Sequence, residues 1–256
     1  MIETYALTKK YGDLVAVDAL DLRVEAGELF VFLGPNGAGK TTTIKILTGL
    51  LQPTSGSATV AGIDVAKSPI AVKGIMGYLS EDPFLYNKLT GREFLQFVAD
   101  MHGVQKKHEK IERFMDLFEL SPAADELIEG YSLGMKKKAA IGAALIHDPK
   151  VLFLDEPTGG LDPKSARMMK DLLQDICNRG ATVFMTTHIL EVAEKMCDRV
   201  GIINKGKLVK VGTIEELRGE AQETAAGSLE DIFLELTGGT QKGQISQFLD
   251  DVANHS

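Results

Sequence analysis

The chain has 256 residues, 44% of them hydrophobic, which is enough for one large domain or for a core with a smaller lobe. Its formal net charge of −8 argues against broad nucleic-acid binding, because that function favours a basic surface. The longest apolar run, residues 139–146, is too short to span a membrane, and the first residues carry no signal-peptide pattern.

The first part of the chain predicts strands around a glycine-rich loop. Short strands are predicted at residues 2–7, 14–17 and 20–24, a buried strand at 28–33 and a helix at 42–49. The loop between the last two follows the pattern G-x-x-x-x-G-K-[ST] and consists of Gly34, Pro35, Asn36, Gly37, Ala38, Gly39, Lys40 and Thr41.

This strand–loop–helix context predicts a phosphate-binding site and argues against a chance glycine turn. Glycines let backbone N–H groups surround phosphates, and the helix N-terminus adds a partial positive charge. We expect Lys40 to reach the outer phosphates and the Thr41 hydroxyl to hold Mg²⁺.

The middle of the chain changes from strand to helix periodicity. After strands at 57–60 and 75–79, apolar residues have helical spacing from about residue 88 to 147, beginning with a Thr90–Glu93 capping box. Strand signals return at residues 151–154, 181–187, 199–204 and 207–211, with a Lys205-Gly206 turn before the last. This alternation predicts an α/β core with a largely parallel sheet and a helical insert.

Three chemically active side chains follow the later strands. The apolar strand at 151–154 leads into Asp155 and Glu156. We expect Asp155 to hold Mg²⁺, directly or through water, and Glu156 to take a proton from an attacking water. An ordinary strand-to-loop junction is the alternative, which the upstream phosphate loop disfavours. His188 follows the next strand and is predicted to open a helix, where it could hydrogen-bond the γ-phosphate and the water.

Other polar residues are predicted to be structural. Cys177 and Cys197 lie far apart without a C-x-x-C motif, which favours two reduced thiols over a disulfide or a metal site. The three lysines at 136–138 favour a solvated helix face over a nucleic-acid or lipid patch. Amphipathic helices at 229–236 and 245–252 are predicted to pack on their own domain rather than on another chain.

These motifs, in this order, resemble those of the ATP-binding cassette (ABC) proteins, specifically the nucleotide-binding subunit of an ABC transporter. The glycine loop through Thr42 is similar to the Walker A motif, and residues 152–156 resemble the Walker B strand with its catalytic glutamate. His188 matches the switch histidine of the family, and Asp162 ends a Gly-Leu-Asp match to its D-loop. Tyr11 matches the aromatic residue that stacks on adenine.

The signature segment departs from the family pattern. Residues 131–135 lie where the family has L-S-G-G-Q; Ser132 and Gly134 match it, while Leu133 replaces a glycine and Met135 replaces the glutamine. In the family this segment caps the γ-phosphate bound by the opposite subunit, through a serine hydroxyl, backbone N–H groups and a helix N-terminus. Because the serine, one glycine and the helix start are kept, we expect the cap to work.

The Q-loop is the second departure. Glu81 stands where the family has a glutamine, and its oxygen can still meet Mg²⁺ or a water bound to it. Both departures and the ending at 229–236 resemble the subset that serves ABC-2-type exporters. The resemblance also places residues 84–86 where a coupling helix of the membrane subunit docks, with core packing as the alternative.

The resemblance covers roughly residues 1–235 and implies an α/β fold. This is a P-loop NTPase core with a mostly parallel sheet, an N-terminal antiparallel β-subdomain and an inserted helical subdomain at about 88–147. Residues 236–256 would be a C-terminal tail, as a short amphipathic helix or disordered. The implied function is an ATPase that uses ATP and Mg²⁺ and works with a membrane-spanning permease and a second copy of itself or a related ATPase subunit. It would lie at the cytoplasmic face of the cell membrane and bind no nucleic acid.

Two other functions are weighed against this one. A non-transport ABC ATPase acting on nucleic acid or the ribosome usually carries two cassettes or long inserts, whereas this chain has one cassette and an acidic balance. A different P-loop enzyme, such as a small-molecule kinase or a GTPase, has no reason to contain the signature, D-loop and switch-histidine series.

Overall fold

The computed structural model describes residues 1–223 and 229–237, which form two β-sheets with helices packed against them. The strands are β1 (Ile2–Tyr11), β2 (Leu14–Val24), β3 (Leu29–Leu33), β4 (Ser55–Val60), β5 (Ile63–Asp64), β6 (Met76–Leu79), β7 (Val151–Asp155), β8 (Thr182–Thr187), β9 (Arg199–Asn204) and β10 (Lys207–Gly212). The helices are α1 (Lys40–Leu47), α2 (Pro69–Ile75), α3 (Gly91–Met101), α4 (Lys107–Leu117), α5 (Leu133–Leu145), α6 (Pro163–Asn178), α7 (Leu190–Met196), α8 (Ile214–Glu223) and α9 (Leu229–Thr237).

The two sheets differ in strand direction. The smaller sheet has the order β2-β1-β4-β5 and is antiparallel. The larger sheet has the order β10-β9-β3-β8-β7-β6, and every pair in it is parallel except β10 with β9. The predicted α/β class, with a mostly parallel core sheet and an antiparallel N-terminal sheet, is confirmed.

The second strand is longer than the sequence pattern predicts. Residues 14–17 and 20–24 were expected as separate strands, and this is wrong because β2 is continuous from Leu14 to Val24. Ala19 lies inside it with a left-handed φ of 45°, next to a register shift in the pairing with β1. The amide of Ala19 donates to Thr8 Oγ1 at 3.1 Å, so a side-chain oxygen of β1 replaces the backbone acceptor at this point. The strand therefore continues through the register shift.

The central strands are buried on both faces, and successive residues enter different cores. Leu29, Val31 and Leu33 of β3 belong to one hydrophobic cluster, which continues into α3, α4, α5 and α6. Phe30 and Phe32 belong to a second cluster, which lies between the larger sheet, α1 and the smaller sheet. This two-sided burial explains why the core strands are continuous apolar runs.

The helical elements begin and end largely where the sequence predicts. Thr90 accepts from the amide of Glu93 and the Glu93 carboxylate accepts from the amide of Thr90, so the predicted capping box is confirmed. Helix α2 (Pro69–Ile75) was not predicted. The helix expected at 229–236 is confirmed as α9, whereas the one expected at 245–252 lies outside the described residues. No helix within the described ranges is long and apolar enough to cross a membrane.

Candidate functional site

The predicted site residues meet at the carboxyl edge of the larger sheet. Strands β3, β8 and β7 are neighbours there, and the glycine loop, His188 and Glu156 follow them in that order. The amide of Gly34 donates to the carbonyl of Thr187 at 3.2 Å. The amide of Glu156 donates to the carbonyl of Thr186 at 3.2 Å. The sheet therefore brings together three segments that are far apart in the sequence.

Backbone atoms of other elements lie very close to the glycine loop. A Cβ atom on Gly34 would lie 2.4 Å from the carbonyl oxygen of Ile203, and one on Gly39 would lie 2.4 Å from that of Ala16. Gly39 also has a φ of 107°, which favours glycine. The β9–β10 turn fixes the loop further, because the amide of Gly206 donates to the carbonyl of Ala38 at 2.9 Å. The loop therefore keeps a defined shape.

The start of α1 is suited to an anion. Gly39 is the N-cap residue, and no side chain caps the helix. The first turn of a helix has backbone N–H groups without intrahelical partners, and its dipole favours negative charge. Thr41 and Thr42 lie in that first turn, both half-buried. The predicted phosphate loop thus ends at a helix N-terminus of the kind that can bind phosphate, and phosphate binding by this chain stays a prediction.

Glu156 is buried and contacts both Lys40 and His188. Its side chain is 10% exposed, and Oε1 lies 2.9 Å from His188 Nδ1 and 3.5 Å from Lys40 Nζ. Lys40 is also buried, and its ammonium donates to the carbonyls of Gly34 at 2.7 Å and Pro35 at 3.2 Å. The predicted phosphate-binding lysine and the predicted switch histidine therefore both contact the predicted general base. The helix predicted to open at His188 begins two residues later, as α7 (Leu190–Met196).

Asp155 is held rigidly at the end of β7. It is 1% exposed, and its Oδ1 accepts from the Thr186 hydroxyl at 2.5 Å. Burial, reinforced by the Asp155 charge, raises the pKa of Tyr78 on β6 to about 12, so that phenol stays neutral. Thr186 was not among the predicted site residues. Its position opposite Asp155 on the neighbouring strand depends on the strand order, which the sequence does not show.

Lys137 corrects the prediction of a solvated lysine face. It is only 4% exposed, and its ammonium donates to the carbonyls of Glu156 at 2.8 Å and Gly159 at 2.7 Å. The reason is that its face of α5 packs against the loop after β7. Helical spacing could have indicated this, since buried Ile141 and Ala144 follow it at i+4 and i+7. The flanking lysines, at 136 and 138, are partly exposed.

The signature residues lie at the start of α5, as predicted. Ser132 is the N-cap, and its exposed hydroxyl accepts from the amide of Met135 at 3.2 Å. Gly134 has open space, because the nearest atom to a Cβ there would be Ser132 Oγ at 4.0 Å. Leu133 is 65% exposed and lies beside Gly160. This segment presents an outward-facing helix N-terminus, and its action on a partner's nucleotide stays a prediction.

Among the described residues, the remaining predicted ones make no hydrogen bond or ion pair with Glu156, Lys40 or His188. Tyr11 ends β1 with 49% of its surface exposed, and Lys9 Nζ lies 5.3 Å from its ring centre. Asp162 is the N-cap of α6; it accepts from the Ser165 hydroxyl at 2.7 Å and from its amide at 2.9 Å, and these hydrogen bonds lower the pKa of Asp162. Glu81 follows β6 and is exposed. The roles predicted for Tyr11, Glu81 and Asp162 in nucleotide or metal binding therefore stay predictions.

The loop after Glu81 exposes two aromatic side chains to solvent. The Phe84 side chain is fully exposed and Tyr86 is 59% exposed, whereas Leu85 packs partly against the larger core cluster. Core packing, the alternative considered for this loop, therefore applies to Leu85 and not to Phe84. The Tyr86 ring also packs on α3, with ring centres 6.4 Å from Phe94 and 5.4 Å from Phe97, so of the two aromatic side chains only Phe84 is wholly exposed.

The two cysteines are free thiols, as expected. Burial raises the pKa of Cys177 to about 11 and that of Cys197 to about 12. Both thiols are therefore neutral and weakly reactive at physiological pH.

Comparison with known proteins agrees with this geometry. The profile of the ABC transporter family matches residues 17–159, more than half of the chain. The chain is 39% identical over 240 residues to the probable multidrug ABC transporter ATP-binding protein YbhF of Escherichia coli (strain K12), covering 92% of this chain but only 41% of YbhF. It is 40% identical over 219 residues to the bacitracin transport ATP-binding protein BcrA of Bacillus licheniformis, covering 85% of this chain and 71% of BcrA.

A solved structure of an ATP-binding subunit of an ABC transporter has the same fold. It superimposes with a TM-score of 0.86 at 30% identity, covering 92% of this chain and 99% of that one. The profile, the relatives and the structure thus agree on one family.

Proposed function

The chain belongs to the ABC transporter family, and we propose that it is the ATP-binding, ATP-hydrolysing motor subunit of an ABC-2-type exporter. The observation that carries the proposal is the contact of the buried Glu156 carboxylate with Lys40 of the glycine loop and with His188. A buried carboxylate beside a phosphate-binding loop is suited to accept a proton from an attacking water.

The nucleotide phosphates would lie along the glycine loop and the start of α1. The backbone N–H groups of the loop and the first turn would bind the phosphate oxygens, and Lys40 would turn its ammonium from Glu156 to the outer phosphates. Tyr11, exposed at the end of β1, would stack on the adenine. These are the roles that the family resemblance implies for the same positions.

Side-chain oxygen atoms near the predicted phosphate loop would serve as ligands for Mg²⁺. The Thr41 hydroxyl and the Asp155 carboxylate would hold it, and Glu81 would contact it or its water. Across the described ranges, no group of three or more His, Cys, Asp or Glu side chains is arranged to hold a metal alone. Mg²⁺ is commonly bound through one or two protein carboxylates, with phosphate and water completing its shell. The ion would neutralise charge on the phosphates.

Hydrolysis would use Glu156 and His188. Glu156 would accept a proton from the water that attacks the γ-phosphorus, while the bond from that phosphorus to the bridging oxygen of ADP breaks. His188 would hydrogen-bond the γ-phosphate and orient the Glu156 carboxylate, which it already contacts at 2.9 Å. Positioning and charge stabilisation carry most of such a reaction.

A second subunit would complete the site. Ser132 and Gly134 begin an outward-facing helix, which supports a role as the cap on a nucleotide bound by the partner. The partner would be a second copy or a related ATPase subunit. Binding of ATP favours the closed pair and hydrolysis returns it to the open one, through a difference in affinity for the two states.

A membrane-spanning permease would receive this motion. The exposed Phe84 and Tyr86 support the loop after Glu81 as its docking surface. Export is supported by the relatives, of which BcrA is named for bacitracin transport and YbhF as a probable multidrug transporter protein. The subunit would then lie at the cytoplasmic face of the membrane. No finding favours the nucleic-acid alternative.

Complementation between two defective subunits tests the proposal. Ser132→Arg should leave ATP binding to the monomer nearly intact and abolish hydrolysis, because the arginine blocks the cap on the partner's nucleotide. Lys40→Ala should weaken ATP binding by at least about tenfold. A mixture of the two contains dimers with one doubly defective site and one intact site, so ATPase activity should partly return. Loss of ATP binding in Ser132→Arg as severe as in Lys40→Ala would contradict the shared site.

A further inference from the structure

Lys137 joins the signature helix to the loop that follows β7. It lies in the second turn of α5, whose N-cap is Ser132. Its ammonium donates to the carbonyl oxygens of Glu156 at 2.8 Å and Gly159 at 2.7 Å. Lys137 therefore connects two parts of the site. Its helix, α5, would cap the partner's nucleotide, and the residue that it binds, Glu156, would act on this subunit's own nucleotide.

Such a burial of charge is rare in this protein. Within the described residues, the buried charged side chains are Glu28, Lys40, Lys137, Asp155 and Glu156. Glu28 pairs with Arg199, and the other four surround the candidate site. Lys40 contacts the Glu156 carboxylate, whereas Lys137 contacts the Glu156 carbonyl. Both buried cations thus contact the same residue.

The charge of Lys137 is compensated by the acids of the site. Burial lowers the pKa of Lys137, and the nearby carboxylates of Glu81, Glu156, Asp82 and Asp155 act in the opposite direction. Burying an ammonium is unfavourable unless its hydrogen bonds are satisfied, and here two backbone carbonyl oxygens accept from it. An apolar side chain could fill the same space, but it could not donate to the carbonyl oxygens of Glu156 and Gly159.

The backbone that Lys137 contacts is in an unfavourable conformation. Glu156 has a φ of 48°, in the left-handed region that non-glycine residues seldom adopt. Its amide donates to the Thr186 carbonyl at 3.2 Å, and its carbonyl accepts from Lys137. The residue is therefore fixed on both sides, and this conformation directs its carboxylate to His188 and Lys40.

We propose that Lys137 is a positioning residue for ATP hydrolysis, which holds Glu156 in its left-handed conformation and transmits movement of the signature helix to it. The inference rests on the proposed function. Lys137 does not touch the nucleotide in this role. When the partner's nucleotide draws Ser132 inward, the rigid helix moves the ammonium, and the ammonium moves the Glu156 carbonyl. The two sites of a dimer would be coupled through this side chain.

Three variants of the full chain test the role. Lys137→Met removes the ammonium and keeps an unbranched stem of similar length, and nucleotide binding by this variant shows whether its site is folded. Lys137→Arg keeps the cation and its donors. Lys138→Met is the matched control, since it removes the same charge one residue later, where Glu119 keeps its ion pair with Lys164.

Steady-state ATPase kinetics separate positioning from binding. In Lys137→Met, kcat should fall about 10- to 100-fold, as expected when a reacting group is misplaced by about 1 Å. Its KM for ATP should change by less than about threefold, because the phosphate contacts are kept. Lys137→Arg should recover most of the lost kcat, and Lys138→Met should match the original chain.

Other outcomes would overturn the inference. These are a kcat for Lys137→Met equal to that of Lys138→Met, no recovery in Lys137→Arg, or ATP binding in Lys137→Met reduced as much as turnover. Binding of a fluorescent ATP analogue to each variant supplies the last comparison and shows whether the site is folded. An original chain that does not hydrolyse ATP would refute the proposed function instead, whatever the variants do.

Discussion

Glu156→Gln should have two opposite effects, slower hydrolysis and tighter binding of ATP. The amide keeps the size of the side chain but cannot accept a proton from water. Loss of a general base costs about two to four decades in rate, so kcat should fall by about 10²- to 10⁴-fold. A closed dimer that retains ATP should then accumulate.

The tighter binding follows from the Lys40–Glu156 ion pair. At 3.5 Å, Coulomb's law with an effective dielectric constant of about 20 gives a gross attraction of about 5 kcal/mol. Hydration of the separated charges offsets most of this, and close pairs of opposite charge keep a net coupling of about 1.5 kcal/mol or more. A nucleotide phosphate must compete with that interaction for Lys40. Since about 1.4 kcal/mol corresponds to a factor of ten, the variant should bind ATP at least about tenfold more tightly.

Calorimetric titration with ATP and a phosphate-release assay measure the two effects. Glu109→Gln is the matched control, because it removes an exposed carboxylate that pairs with Arg113 on α4. A kcat of Glu156→Gln within about twofold of the original chain would refute the general-base role, for which about two decades are the minimum expected. An ATP affinity equal to that of the control would refute the competition between Glu156 and phosphate for Lys40.

Three further predictions concern binding, stability and reactivity. Lys40→Ala should weaken ATP binding by at least about tenfold in calorimetry, because no backbone N–H replaces the point charge of the ammonium. Phe184→Ala should lower the free energy of unfolding by about 3–5 kcal/mol in urea titration, because Phe184 is fully buried and packs on three other phenylalanines. Cys177 and Cys197 should be alkylated slowly at pH 8 in the folded chain and rapidly in urea. Burial raises their pKa values to about 11 and about 12 from an ordinary 9.0, so the reactive thiolate is scarce until the chain unfolds.

The local elements of the site could be predicted because their causes are local. The glycine loop lies between a buried strand and a helix. The strand, the loop and the helix can each be recognised from a sequence pattern of about ten residues or fewer. The capping box at Thr90 and the turn at Lys205-Gly206 depend on neighbouring residues alone. The prediction of two strands in place of β2 failed for the opposite reason, because Thr8 on the neighbouring strand supplies the acceptor for the amide of Ala19.

The functions assigned to Asp155, Glu156 and His188 depended on their order along the chain. A carboxylate pair after an apolar strand is weak evidence alone, and the phosphate loop upstream made it specific. The contacts among these residues could not be predicted, since they require β8 to lie between β3 and β7 in the sheet. That order follows from packing across the whole core, and no local sequence signal encodes it.

The sequence by itself determined the phosphate loop, the carboxylate pair, the order of the motifs and, through them, the family. Only the tertiary structure decided which polar side chains meet at Glu156. Lys40, Lys137 and His188 come from three separate elements, and each meets Glu156 only after the sheet and α5 have packed. The physical reason is that burial and ion pairing depend on distances between segments remote in sequence, whereas strand, turn and cap signals depend on neighbouring residues.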